Sequence, residues 1–166
     1  MKHNNLKRLT FCGILAAIYT VLTVMPPLNA IAYGPVQFRV SEALCVLPFI
    51  APWTTWGLVL GCLLANLFST VTALDIVFGT LASLLGCLIT SKVRHKWLVP
   101  LPTILSNGLI IGAMLASVLT PDSWWSGFVL NGAQVAFGEL VVLYILGMPL
   151  LLMLQRRGLA ERLKAL

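Results

Sequence analysis

From Leu9 to Ser91 the chain carries only three charged residues, Arg39, Glu42 and Asp75, and from Trp97 to Gln155 only two, Asp122 and Glu139. A soluble domain cannot solvate its surface on so little, since such domains carry about 25% charged residues. Here charged residues make up 10% of 166 and hydrophobic residues 59%. A bilayer-spanning helix takes about 20 residues, so six spans would use roughly 120 and leave short connections. No sequence remains for a sizeable nucleotide-binding domain. The composition specifies an integral membrane protein made almost wholly of its spans.

The charges that exist are sorted. Of eleven basic residues, ten fall into three clusters: Lys2, Lys7, Arg8; Lys92, Arg94, Lys96; and Arg156, Arg157, Arg162, Lys164. The positive-inside rule reads these as cytoplasmic anchors. They do not read as a nucleic-acid surface, because no basic patch is interleaved with aromatics on a polar face.

The apolar runs predict an all-α membrane protein, a single domain over 1–166. Its six helices form a compact bundle with spans at about 9–25, 40–51, 55–71, 75–90, 97–119 and 127–154. The first run, Leu9 to Met25, is followed by Ala30-Ile31-Ala32, which imitates a signal cleavage site. Its apolar core exceeds the usual 7–15 residues, so a retained span is expected. Pro48 and Pro52 interrupt the next stretch. Counting it as two spans puts the Lys92 cluster on the same side as the N-terminus; counting one puts it outside. Two are therefore expected, the first short and proline-distorted, with both termini cytoplasmic.

Small residues recur at helix-packing spacing in Gly57, Gly61, Ala65 and in Gly108, Gly112, Ala116. Such ladders let backbones approach in lipid, and internal packing is their simplest role. Gly13 and Ala17, beside Ala16, suit packing or docking onto a partner equally well. Cys12, Cys45, Cys62 and Cys87 lie in apolar runs without metal-ligand spacing and behave as small hydrophobes. No metal site or cofactor is expected, and no P-loop, nucleophile elbow or zinc-protease motif occurs.

Ionised side chains at membrane depth cost at least ~2.5–3.5 kcal/mol and are functional candidates by default. They are Arg39, Glu42, Asp75 and Glu139, joined by the neutral Gln37, Asn66, Asn107, Asn131 and Gln134. In the six-span arrangement they gather in the outer half of the bundle, which suits a closed, outward-facing pocket rather than a pore. Each also has a plainer reading. Arg39 and Glu42, three apart, would simply pair; Asp75 would cap its helix. Asn131, Gln134 and Gly138 share a face that fits interhelical bonding as well as ligand contact. Tyr33, Phe38, Trp124 and Trp125 could stack on a planar ligand, although the tryptophans suit an interface belt. Carboxylates and carboxamides suit a heterocycle rich in N–H donors or a small cation. From the residues alone the ligand is a small polar organic solute.

Gln37-Phe38-Arg39-Val40-Ser41-Glu42-Ala43-Leu44, Val46-Leu47-Pro48, Gly57-Leu58-x-x-Gly61-Cys62-x-x-Ala65-Asn66 and the run Leu74 to Ala82 resemble signatures of the queuosine-precursor transporter (QueT) family. Its members are substrate-binding S components of energy-coupling factor transporters. The resemblance implies a multi-pass protein of the bacterial cell membrane that captures a 7-deazaguanine, such as 7-aminomethyl-7-deazaguanine, outside. It also implies partners: a membrane coupling subunit and two cytoplasmic ATPases that power uptake, so the chain itself is no enzyme. Glu42, Asp75 and Glu139 would receive the ligand's ring donors and ammonium. The family's docking motif in the first span finds its nearest equivalents in Gly13/Ala17 and Ala16/Thr20. Two alternatives remain: an S component for another vitamin-like heterocycle, and a non-transporting membrane scaffold subunit.

Overall fold

The computed structural model describes residues 2–34, 36–69 and 72–166. Thr70 and Val71, expected to close the third span, lie outside the described residues, as do Pro35 and the side chains of Lys2 and His3. The chain forms α1 (Lys2–Val24), α2 (Leu28–Ala32), a 3₁₀ helix (Val40–Phe49), α3 (Thr54–Asn66), α4 (Asp75–Thr90), α5 (Leu101–Leu119), α6 (Trp124–Val142), α7 (Met148–Arg156) and α8 (Leu159–Ala165). Among the described residues, three helical stretches are long and apolar enough to cross a membrane: Asn4–Val24, Lys96–Leu119 and Pro121–Arg156. Val40–Phe49, Thr54–Asn66 and Asp75–Thr90 are shorter apolar helices. The result is a helical bundle that fits a multi-pass membrane protein, with large apolar side chains such as Leu60, Val77, Leu105 and Val129 on its outside.

The segment expected as a short, distorted span is not an α-helix. Its 10 residues wind as a 3₁₀ helix with Pro48 inside and with Ser41, Glu42, Ala43, Cys45, Val46, Leu47 and Pro48 buried. Runs beyond 3–4 residues of this helix type are uncommon. Packing explains the exception. Neighbours enclose the segment on several sides, and the tighter 3₁₀ winding extends it to about 20 Å at 2.0 Å per residue.

The small-residue ladders are spent on internal packing. A Cβ added to Gly57 would lie 2.8 Å from the Cys12 carbonyl oxygen, and one on Gly61 2.7 Å from Tyr19 Cβ, so α3 and α1 run parallel in close contact. On the other side of the bundle, a Cβ on Gly112 would lie 2.6 Å from Gly132 Cα, fixing α5 against α6. The last long helix changes winding at Leu143–Gly147, a π-helical turn just before Pro149, which has no N–H for the regular ladder. There Gly147 comes close to the 3₁₀ helix: a Cβ on it would lie 3.2 Å from the Ala43 carbonyl oxygen. Gly158 closes α7 with φ 68°, a left-handed turn that glycine adopts freely, and α8 folds back.

Helix directions follow from these contacts. Arg8 sits over the Trp53 ring at 5.9 Å, so α1 and α3 begin at the same end. Asn66 at the end of α3 meets Asp75 at the start of α4, which then returns. The connection after α4 and the end of α7 thus lie at the end where α1 begins. That end gathers the three basic clusters, while Arg39 is placed toward the opposite end.

Candidate functional site

The 3₁₀ helix presents Glu42 to the interior, where it is fully buried. Its carboxylate accepts hydrogen bonds from the Tyr19 hydroxyl of α1 and, at 3.4 Å, from the Ser83 hydroxyl of α4. The Cys45 thiol, one turn on, donates to the other oxygen at 3.0 Å. Thr23 and Ser41 hydroxyls bond at 2.6 Å and tie the start of the 3₁₀ helix to α1. Both carboxylate oxygens of Glu42 are therefore already engaged by the protein.

The expected Arg39–Glu42 pair does not form. Arg39 precedes the 3₁₀ helix in extended conformation, so the two side chains lack helical i,i+3 geometry. Its guanidinium lies over the Tyr33 ring, 5.1 Å from the centroid, and Nε donates to the Ala32 carbonyl at 3.4 Å. Tyr33 in turn donates its hydroxyl to the Ala65 carbonyl at 2.7 Å. Arg39 covers that ring, so Tyr33 anchors the guanidinium. Arg39 nonetheless lies within Coulombic reach of both Glu42 and Asp75.

Asp75 is not the cap of α4. It is the first helical residue, Leu74 occupies the capping position, and no side chain closes the helix end. Its carboxylate instead accepts the Ser69 hydroxyl, while its carbonyl accepts Asn66 Nδ2 at 3.0 Å. Gly79 makes room for that amide: a Cβ there would lie 2.7 Å from Asn66 Nδ2. Across the site, Asn107 of α5 donates Nδ2 to Glu139 Oε1 of α6 at 2.8 Å. Glu139 lies within Coulombic reach of Glu42 and Arg39.

Gln37 is buried beside them, its carbonyl meeting α6 where Gly138 has no side chain; a Cβ there would lie 2.3 Å away. Asn131 and Gln134 are only half-buried and make no side-chain hydrogen bond among the described residues. Trp124 stacks on Phe128 and donates to Ser117, and Trp125 is exposed, so neither joins the polar set. Phe38 packs edge-on against Phe137. Among the described residues, no group of His, Cys, Asp or Glu is arranged to hold a metal ion.

Tyr19, Ser83 and the Thr23–Ser41 pair were not among the residues the sequence pointed to. A signal existed: Asp75, Gly79 and Ser83 recur at intervals of four, as do Tyr19 and Thr23, each set lying along one helix face.

The chemistry of the site lies in what stays unbonded. Asn66 Oδ1, Asp75 Oδ1, Asn107 Oδ1, Glu139 Oε2 and Arg39 Nη2 are buried with no hydrogen-bond partner among the described residues. Because both asparagines use Nδ2 as donor, one to a carbonyl and one to a carboxylate, their free atoms are fixed as acceptors. The site thus offers four unbonded acceptors and one donor. Leaving a buried polar group unmet costs about 1–3 kcal/mol.

The sequence profile of the QueT transporter family matches residues 9–156. The chain belongs to the QueT transporter family. The match encloses all the residues of the polar site and ends before α8. The queuosine precursor transporter QueT of Lactococcus lactis subsp. cremoris (strain MG1363) is 35% identical over 101 residues. That alignment covers 58% of this chain and 59% of the relative, so the chain matches about three fifths of the relative's length. No solved structure matches the chain. All the residues of the buried polar cluster fall within the matched region, which makes that cluster the candidate functional site.

The two possible docking pairs on α1 separate cleanly. Ala16 is buried against Gly61, and Thr20 donates to the Gly61 carbonyl at 3.2 Å. Gly13 and Ala17 are exposed, and a Cβ on Gly13 would meet nothing within 4 Å.

Proposed function

We propose that the chain is the substrate-binding S component of an energy-coupling factor transporter, and that it takes up a queuosine precursor of the 7-deazaguanine type. The observation that carries this reading is the buried set of four unbonded acceptors and one unbonded donor. A 7-aminomethyl-7-deazaguanine complements it: ring N–H, exocyclic amine and ammonium are donors, and the ring carbonyl is an acceptor. Asp75 and Glu139, each with a free oxygen, make the direct charged contacts, worth ~1.5–3 kcal/mol apiece. Arg39 Nη2 meets the carbonyl. Glu42, whose oxygens are taken, positions the others and contributes negative charge beside the ammonium. Asn66 and Asn107 complete the ring edge.

In this reading the basic end is cytoplasmic, in keeping with the positive-inside rule, and the ligand enters from outside the bacterial membrane. The chain supplies capture, and a membrane coupling subunit with two cytoplasmic ATPases supplies the energy. Gly13 and Ala17 form the docking face for the coupling subunit, because Ala16 and Thr20 are occupied by α3.

A thermal-shift panel on the purified chain tests the substrate class. The expected order of stabilisation is 7-aminomethyl-7-deazaguanine first, guanine (no ammonium) weaker, hypoxanthine (no exocyclic amine) weakest. Equal shifts for all three would remove the role given to the carboxylates. A shift only with an unrelated heterocycle would favour an S component for another vitamin-like solute.

A further inference from the structure

A groove of about 550 Å³ runs along the outside of the bundle between α4 and α5. Its walls are Leu85 and Ile89 of α4 and Leu101, Leu105 and Leu109 of α5. Arg94 and His95, in the connection between the helices, line its basic end. Close contact at Gly86, where a Cβ would lie 2.7 Å from Ser106 Oγ, locks the two helices together and leaves the groove as a fixed trough beside the crossing.

Two features define the occupant. Leu101 to Leu109 spans about 12 Å at 1.5 Å per residue, close to the depth of one leaflet in a hydrocarbon core of about 30 Å. The connection also carries Lys92 and Lys96 and no acidic residue, and the only ion pair among the described residues is Lys164–Glu161, elsewhere in the chain. Arg94 and His95 thus line the mouth of an apolar trough, and among the described residues Arg94 has no carboxylate partner there. An acyl chain satisfies the trough and a phosphate satisfies its mouth; basic pockets at helix ends recognise anionic lipid head groups in this way.

We propose that the α4–α5 groove is a binding site for one anionic phospholipid, its chain along Leu101–Leu109 and its phosphate on Arg94 and His95. The site is independent of the solute-binding reading. It also leaves the exposed Gly13/Ala17 face of α1 free, since α3 lies between α1 and α4.

Native mass spectrometry of the delipidated, full-length protein tests it. Phosphatidylglycerol and phosphatidylcholine are titrated separately, with glycerol 3-phosphate as a soluble head-group competitor. The expected result is one phosphatidylglycerol per chain, retained at least tenfold better than phosphatidylcholine and not displaced by glycerol 3-phosphate. Retention should fall about tenfold in the R94A/H95A double variant and in Leu105→Trp, which fills the trough without changing charge. It should hold in R156A/R157A, which removes charge elsewhere. Equal retention of both lipids, or equal loss in the two arginine variants, would overturn the proposal. Displacement by glycerol 3-phosphate would reduce the site to a phosphate contact, and a dimer in place of the lipid adduct would assign the face to a second copy; either result overturns it as well.

Discussion

Asn107 Nδ2 donates to Glu139 Oε1 at 2.8 Å, joining α5 to α6 in the bundle interior and leaving one oxygen on each residue unbonded. The bond orients both free oxygens, so the two residues act as a unit. Asn107→Ala should cost about 0.6–1.7 kcal/mol of stability, the range of interhelical bonds in membranes. It should also reduce solute affinity, because the free oxygen of Glu139 loses its orientation and the Asn107 acceptor is gone. Thermal unfolding together with a solute titration checks this. Affinity unchanged in Asn107→Ala would remove the pair from the site.

Three glycines separate packing from function. Gly138→Ala places a Cβ 2.3 Å from the Gln37 carbonyl, backbone against backbone, and should lower the melting temperature by at least about 5 °C. Gly13→Ala meets nothing within 4 Å and should be neutral or stabilising by up to ~1 kcal/mol. Gly79→Ala presses on the movable amide end of Asn66 at 2.7 Å, so affinity should fall further than stability. Differential scanning fluorimetry with and without solute distinguishes the three.

The Asn66–Asp75 side of the site was legible in the sequence because charge and carboxamide are rare and costly at membrane depth. Position alone nominated Glu42, Asp75, Glu139 and Asn107. Their partners were harder to see. Tyr19 in an apolar span reads as an ordinary core residue, and only the fold brings its hydroxyl to Glu42. The 3₁₀ winding of Val40–Phe49 was not legible either. Pro48 announces distortion, but which helix type results depends on neighbours such as Gly147 that lie about a hundred residues away in sequence. Asn131 and Gln134 show a related limit: helical periodicity shows which residues share a face and does not show what that face meets.

Docking through α1 predicts a separation of effects. Gly13→Leu and Ala17→Leu change an exposed face, so solute binding by the isolated chain should persist while copurification with a coupling subunit is lost. Pull-down of the tagged chain with its coupling module reads this directly. Retained complex in the double variant would move the docking face elsewhere.

The central claim is that the unbonded oxygens of Asp75 and Glu139 receive the solute's donors inside this chain alone. Isothermal titration of the purified protein, without any ATPase, against 7-aminomethyl-7-deazaguanine tests it. The prediction is a saturable one-to-one isotherm, weakened at least tenfold by Asp75→Asn and by Glu139→Gln. No binding to a folded wild-type protein, or wild-type affinity in both variants, would contradict it.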